Sequence, residues 1–456
     1  MNVTRRVLEF ALAAALCLIL AGAQSLRAQA PAAGQDPNAP KYTMAEYNAY
    51  QACAAEKAAA AQIKCLDDFV AKYPNSALLN FVYVQYSQAY SQQKNYVKMM
   101  ETADKLAALG DKIDALTRFQ AYFSHAVTYF QMLSDPANKG KGLDKDAAMA
   151  KAAHAAANDA LKTLPDAKKP DGVADDAWSK QKTQWQITAN DIAAQAAVNA
   201  KDCSSAINSY KAELGLNPDN AVATYQLGRA YLCVSPPQQM DAFWYIARAV
   251  TSKGATQAQS DTVKKYLKSL VTNYQGGNVC DSLTDGEMNE LLQLAGSSAD
   301  RPSTYSLPSA ADISAVQKDM TIASVFTDLK AGGDKSKTTW LAACGLEFPE
   351  VPGKVIEVVP GDSLVLKIAF VTSDAEFEAA KDPNMDVKVV GQPEAARVEK
   401  DSAVHFTGTL TSYTPDPAFF LHWDKAKVKA EDIPKEKGTK KPPVRRPTKK
   451  PSGAAH

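Results

Sequence analysis

Between residues 42 and 295 the apolar positions recur at intervals of three and four. Leu66, Phe69, Val70 and Tyr73 form one stripe, and Val82, Tyr83, Tyr86 and Tyr90 another. That spacing collects side chains on one face of an α-helix. Ala, Gln, Lys, Leu and Tyr dominate here, residues that favour or tolerate helix, and β-branched residues do not cluster. Breaks fall at Tyr73-Pro74-Asn75-Ser76, Gly110-Asp111, Asp135-Pro136, residues 165–172, Asn217-Pro218-Asp219 and Pro236-Pro237. The pattern predicts helices of about 12–17 residues joined by short turns, a series of stacked helical hairpins. After Leu346 the period drops to two. Residues 354–359, 363–371, 386–390, 403–413 and 418–423 read as five strands, with turn signals at Pro360-Gly361-Asp362, Gly391-Gln392-Pro393 and residues 414–417. Five short strands with a bend at Gly408 predict a small antiparallel β-barrel. The expected fold class is α+β multidomain: a helical body at 42–295, a linker with helices at 296–346 and a barrel at 347–430.

The two ends differ from this body. Arg5 and Arg6 precede an uncharged apolar run at 10–23, and Ala28-Gln29-Ala30 offers a small-x-small cleavage site before Pro31. This predicts a secretory signal peptide at 1–30 and a disordered linker at 31–41, since a run of 14 residues is too short to span a bilayer. Leu16 before Cys17 is too large for a lipoprotein cleavage site. The mature chain is therefore expected outside the cytoplasm, periplasmic or extracellular, soluble and without a transmembrane span. Of 456 residues, 46% are hydrophobic and 22% charged, which excludes wholesale disorder and a multi-span membrane protein. The 51 Lys and Arg nearly balance the 50 Asp and Glu, but unevenly along the chain. From residue 433 onward eight basic residues face one acid, and setting aside this end and the signal leaves 40 basic against 48 acidic. A basic Pro/Lys-rich tail at 431–456 should be disordered and free to touch an anionic surface.

Removal of the signal leaves Cys53, Cys65, Cys203, Cys233, Cys280 and Cys344, an even number in an oxidising compartment, so disulfides are expected. Cys203 and Cys233 are equidistant from Pro218, at the turn between two predicted antiparallel helices, which puts them level. Cys53 and Cys65 are symmetric about Ala59. Cys280 and Cys344 then pair by elimination. No C-x-x-C occurs, and His125, His154, His405, His422 and His456 are scattered, so neither a metal nor any other cofactor is expected.

The segment 202–250 carries a denser pattern. Ala206, Tyr210, Glu213 and Pro218 lie at offsets 0, 4, 7 and 12, followed by Leu227, Gly228 and Tyr231, then Ala242, Ile246 and Ala249. This resembles the tetratricopeptide repeat family. The resemblance implies that Gly228 and Ala242 are the small residues where two helices cross, that Tyr231 fills the gap between them and that Pro218 closes the preceding repeat. The pattern departs at Pro236-Pro237, which lengthens the inner turn, and Thr224 stands at the early aromatic position with Tyr225 beside it. A looser match covers 42–109, where Pro74 closes a repeat but Val84 replaces the small residue. The resemblance further implies a superhelix whose concave surface takes an extended peptide or partner helix. Mapped on this chain, that surface would present Val222, Tyr225 and Arg229, and from the degenerate repeat Leu78, Phe81, Gln85 and Gln88. Leu78, Phe81 and Val222 are apolar enough to serve packing; Tyr225, Arg229, Gln85 and Gln88 are the groove candidates. Trp178 and Trp185, seven apart, read as a same-face core pair.

Gly353-Lys354-Val355-Ile356-Glu357-Val358, with the later Val404-His405-Phe406-Thr407-Gly408-Thr409-Leu410-Thr411-Ser412-Tyr413, looks like the oligonucleotide/oligosaccharide-binding barrel of bacterial envelope proteins. Base stacking in such a barrel would fall to Tyr413, Phe419 and Trp423, but the segment is not basic, and no nucleic acid is expected. His405 and His422 lie on adjacent strands where an approach is conceivable, but without a third ligand they read as surface or core histidines rather than a metal pair. No catalytic or phosphate-binding motif is present, and no enzyme is expected. The function expected is a non-catalytic exported scaffold or adaptor holding a protein or peptide partner of the cell envelope. The alternative is an envelope carbohydrate-binding protein using its barrel, and a weaker third reading is a hydrolase with no recognisable motif.

Overall fold

The computed structural model describes residues 41–277, 281–415 and 418–435. The expected signal peptide, the linker before Lys41 and the tail beyond Lys435 lie outside the described residues. Among those described there are sixteen α-helices and five strands, and no helix is long and apolar enough to cross a membrane. The chain divides into two compact units, one from residues 1–270 with 288–306, the other from 271–287 with 307–456.

The first unit is helical. In chain order come α1 (Met44–Ala55), α2 (Ala59–Lys72), α3 (Leu79–Gln92), α4 (Tyr96–Ala107), α5 (Ala115–Ser134), α6 (Ala147–Thr163), α7 (Asp175–Asn199), α8 (Cys203–Leu216), α9 (Ala221–Cys233), α10 (Gln239–Thr251), most of α11 (Gln257–Tyr274) and the later part of α12 (Asp281–Ser297). From α1 to α10 each helix packs chiefly on its sequence neighbours. Side-chain caps define the starts: Thr43 with Glu46 forms a reciprocal box, and Asn95, Asp114, Asp146, Asp202 and Asn220 each accept from the first turn. Each such cap is worth about 1 kcal/mol against Ala. α5 and α7, at 20 and 25 residues, are longer than the other helices of this unit, because no Pro or Gly interrupts them. Ala150, Ala153, Ala157 and Ala160 on α6 and Ala189, Ala193 and Ala196 on α7 are buried, and side chains this small let the helix backbones approach closely. Trp185 is buried against Phe119 (4.9 Å) and meets Trp178 edge to face, as expected of a core pair.

Two cysteine pairs are joined as their symmetry about a turn predicts. Cys53–Cys65 links α1 to α2 with Cα atoms 5.3 Å apart, and Cys203–Cys233 links α8 to α9 at 5.8 Å. Cys344 is also disulfide-bonded; Cys280, its expected partner, lies outside the described residues.

The second unit contains α13 (Ala310–Lys318), α14 (Ile322–Ala331), α15 (Gly333–Ala343), β1 (Glu347–Val359), β2 (Leu364–Phe370), α16 (Asp374–Ala379), β3 (Met385–Val389), β4 (Ala403–Thr414) and β5 (Phe420–Val428). The strands close in the order β1-β2-β3-β5-β4, with β4 returning to β1. The sheet is mixed: β3 and β5 run parallel, Met385 beside Leu421 and Val387 beside Trp423. The all-antiparallel expectation is thus corrected, and for a simple reason. Directions can alternate around a closed ring only when the strand number is even, so five strands force at least one parallel neighbour pair. β4 and β5 slip register between Thr407 and Thr409, at the bend read from Gly408. β5 begins at Phe420, not 418, and runs on to Val428. Ile433, inside the segment read as tail, is 8% exposed and belongs to the barrel core.

Trp423 is 2% exposed and packs edge to face on Phe348 and Phe406, so it fills the barrel. Tyr413 and Phe419 are half-buried under α14 and α15: Phe326 stacks on Phe370 and meets Phe419 at 4.9 Å, and Trp340 meets Tyr413 at 5.0 Å. The three aromatics considered for base stacking therefore contribute mainly to packing.

Candidate functional site

The turn from α8 into α9 sets up the most organised surface of the helical unit. Asn220 caps α9, its Oδ1 accepting from the N–H groups of Val222 and Ala223 at 3.1 and 3.2 Å. Its Nδ2 donates to Glu213 Oε1 at 2.6 Å, tying the cap to α8. α9 then crosses α10 at close range. A Cβ added at Gly228 would stand 2.6 Å from Ile246 Cγ1 and 2.9 Å from the Ala242 carbonyl oxygen. Tyr231 and Tyr245 stack across the same pair, centroids 5.5 Å apart and planes within 4°.

With Gly228 and Tyr231 committed to that crossing, Tyr225 and Arg229 share an adjoining face one turn apart. Tyr225 is half-buried and Arg229 exposed. The Arg229 guanidinium lies 6.0 Å from the Tyr225 ring, and its Nη1 donates to Gln226 Oε1 at 3.4 Å. Tyr225 also meets Tyr266 of α11 edge to face at 6.1 Å. Burial raises the Tyr225 hydroxyl above its ordinary range. Tyr266 escaped the sequence reading because no repeat pattern marks α11; its cue is an aromatic residue on the helix that follows a repeat.

Two carboxyls lie on α7 and α8, the helices before the turn into α9. Glu213 on α8 is 1% exposed; Oε1 is held by Asn220, while Oε2 has no hydrogen-bond partner among the described residues. Asp191 on α7 is half-buried, and its Oδ1 accepts from Gln195 Nε2 at 2.7 Å. Asp191 precedes the end of α7 by about as many residues as Glu213 follows the start of α8, so the antiparallel pair brings them nearly level. Burial, then repulsion from Asp191, pushes Glu213 up to about 8, and burial raises Asp191 as well. Tyr210 is driven far above its usual range by burial and by both carboxyls, against an opposing pull from Arg229. The sequence marked Glu213 only as a repeat position and passed over Asp191. The available signal was an ionisable residue at an offset that packs between helices.

Gln85 and Gln88 sit elsewhere, on α3, both half-buried. The buried Gln62 donates from Nε2 to Gln85 Oε1 at 3.0 Å and to the Cys53 carbonyl at 3.3 Å. Gln85 is thus engaged within the helical hairpin. No hydrogen bond or ring contact among the described residues joins these glutamines to Tyr225 or Arg229. Leu78 is fully buried, Phe81 packs on Tyr50 at 6.2 Å and Val222 is half-buried, consistent with packing roles.

On the outside of the barrel, His422 of β5 pairs with Asp386 of β3, Nδ1 to Oδ1 at 2.8 Å. Lys367 of β2 lies 3.5 Å from Asp386 and 5.3 Å from the Phe420 ring. His405 instead pairs with Asp432 at 3.1 Å. The two histidines do not approach each other: His422 lies opposite Ser412, seven residues along β4 from His405, a distance of roughly 23 Å at strand rise.

Compared with models of known protein families and with curated proteins, the chain matches none.

Proposed function

We propose that this chain is an exported, non-catalytic scaffold whose helices form a tetratricopeptide-like superhelix, with Tyr225, Arg229 and Tyr266 on the surface that holds an extended protein or peptide partner. The observation that carries the reading is the crossing at Gly228, Ala242 and Ile246. It consumes one face of α9 in packing and leaves an aromatic-cationic face with no structural task of comparable tightness. A tyrosine paired with an arginine is a common anchor of protein interfaces, because each offers large area and polar contacts together. The disulfides suit an oxidising compartment, and the basic tail supplies a contact for anionic surfaces.

The test uses the full mature chain as bait in an envelope extract. Exchange of Tyr225 and Arg229 for Ala should abolish capture of a partner that the unaltered chain retains, with thermal stability nearly unchanged. Equal capture by both chains would remove this face from consideration.

A second reading rests on the barrel, proposed as an oligosaccharide-binding type. Phe420, His422, Asp386 and Lys367 form a half-buried strip where one ring is bordered by hydrogen-bonding groups, a combination suited to a sugar ring. Binding of cell-wall polysaccharide by the full chain, lost on Phe420→Ala, would support it; no retention of the chain by the polysaccharide would retire it.

A further inference from the structure

The helical unit holds a recess of about 250 Å³ where three chain segments meet. Its walls are the turn from α8 into α9, the C-terminal end of α10 with the turn after it, and the C-terminal end of α12 with the residues after it. All three belong to the first unit. Ser252 Oγ donates to the Asp219 carbonyl at 2.9 Å, and a Cβ added at Gly254 would collide with that same oxygen, so the first two walls are pressed together. Arg248 Nη1 donates to the Ala299 carbonyl at 3.3 Å and ties in the third. Asp219, Arg248 and Lys253 line the recess, the first and last exposed and Arg248 half-buried. None of the three makes an ion pair among the described residues, and the Asp219 carboxylate accepts no hydrogen bond there. Opposite charges thus face one space without meeting.

Those charges decide the class of ligand. A bare anion answers Arg248 and Lys253 but sits at the C-terminal ends of α10 and α12, where aligned peptide dipoles leave partial negative charge. A bare cation answers Asp219 and those helix ends but meets the two basic side chains. A molecule carrying both charges answers all of them. The hydroxyls of the lining point the same way. Thr251 Oγ1 donates to the Arg248 carbonyl at 3.2 Å, Ser297 Oγ to that of Leu294 at 2.9 Å and Ser298 Oγ to that of Asp300 at 2.7 Å. Each has thereby spent its one hydrogen and keeps only lone pairs, which suit an ammonium. We propose that this recess binds a free α-amino acid as a zwitterion, its carboxylate on Arg248 and Lys253 and its ammonium toward Asp219 and the hydroxyl oxygens. At about 250 Å³ the recess is smaller than those that take drug-sized ligands, in keeping with so small a molecule. This site stands whether or not the Tyr225 face holds a partner.

Thermal melts of the full mature chain with each protein L-amino acid in turn provide the screen, since a ligand of the folded state raises the midpoint. Isothermal titration calorimetry then gives the affinity of the amino acid with the largest effect. It should bind at least about tenfold more tightly than its N-acetyl derivative, which lacks the ammonium, and than its α-amide, which lacks the carboxylate; tenfold is the size of one charge-assisted hydrogen bond. Lys253→Gln should weaken the amino acid by about the same factor and leave the α-amide unaffected. Asp219→Asn should weaken the amino acid likewise and leave the N-acetyl derivative unaffected. Both side chains are exposed and make no hydrogen bond among the described residues, so the ligand-free variants should melt with the unaltered chain. Arg248 is left in place because it also holds the third wall. A chain that no amino acid stabilises, equal affinity for the amino acid and its two derivatives, or a preference that survives both substitutions would overturn the proposal. Partner capture through Tyr225 is a separate measurement and is unaffected by either result.

Discussion

Gly228 on α9 faces Ala242 on α10 so closely that a methyl group at Gly228 would stand 2.9 Å from the Ala242 carbonyl oxygen. Ile246, fully buried, closes the other side at 2.6 Å. Neither neighbour is the free end of a flexible side chain, so Gly228→Ala must push two helices apart. The expected loss is about 1–3 kcal/mol, read as a lower denaturation midpoint in urea. An unchanged midpoint would mean that the crossing is looser than drawn and would weaken the repeat reading built on it.

Glu213 makes stability depend on pH in a direction opposite to that of a salt-bridged acid. Its pKa is raised in the fold to about 8 from an ordinary value near 4.5. Between those limits the folded chain keeps a proton that the unfolded chain has released. Stability is therefore greatest below the lower limit and falls as pH rises toward the upper, by at most about 1.4 kcal/mol per pH unit. Glu213→Gln removes the titration and should flatten this part of the profile. Urea midpoints at pH 5, 7 and 9 for both chains provide the check; parallel profiles would assign the trend to other groups.

Reduction should cost the helical unit more through one disulfide than the other. Cys203–Cys233 spans 30 residues and Cys53–Cys65 spans 12. Loop-closure entropy then gives about 3.6 kcal/mol for the first and about 2.8 for the second. Serine replacement of each pair, followed by thermal denaturation, should show the larger drop for the 203–233 pair. The reverse order would indicate that native-state contacts outweigh the loop contribution.

Phe326 is the centre of the aromatic cap over the barrel, in contact with both Phe370 and Phe419 at 4.9 Å. Phe326→Ala should destabilise the second unit by about 2 kcal/mol, less than a fully buried Phe because part of the ring reaches solvent. Near-ultraviolet circular dichroism during unfolding reports it. A negligible change would show that the helices before β1 contribute little to the barrel.

How much of this was legible beforehand depended on the range over which each feature is decided. Helix positions followed from local spacing and caps, as at Thr43 with Glu46 and at Asn220. The 203–233 and 53–65 disulfides followed because symmetry about a turn fixes height on antiparallel helices. The direction of β5 beside β3 was not legible from period-two alternation, which says which face a residue takes but nothing about its neighbour strand. Alternation could not say which of Tyr413, Phe419 and Trp423 fills the core, and ring closure put Trp423 inside. In the candidate site, Tyr225 and Arg229 were marked through the resemblance to the tetratricopeptide repeat, whereas Tyr266, Asp191 and the unpartnered oxygen of Glu213 were not.

The sequence by itself determined the helices, the turns that end them, the change to strands after Leu346, and the heights at which cysteines could meet. These are set within a few residues by hydrogen-bonding geometry, propensity and the periodicity of apolar side chains. Only the tertiary structure decided which strand lies beside which, which aromatics are covered, and that a carboxyl on α8 would be sealed beside another on α7. Those outcomes arise where separate elements exclude water together, and desolvation belongs to the assembled surroundings of a residue rather than to its place in the chain.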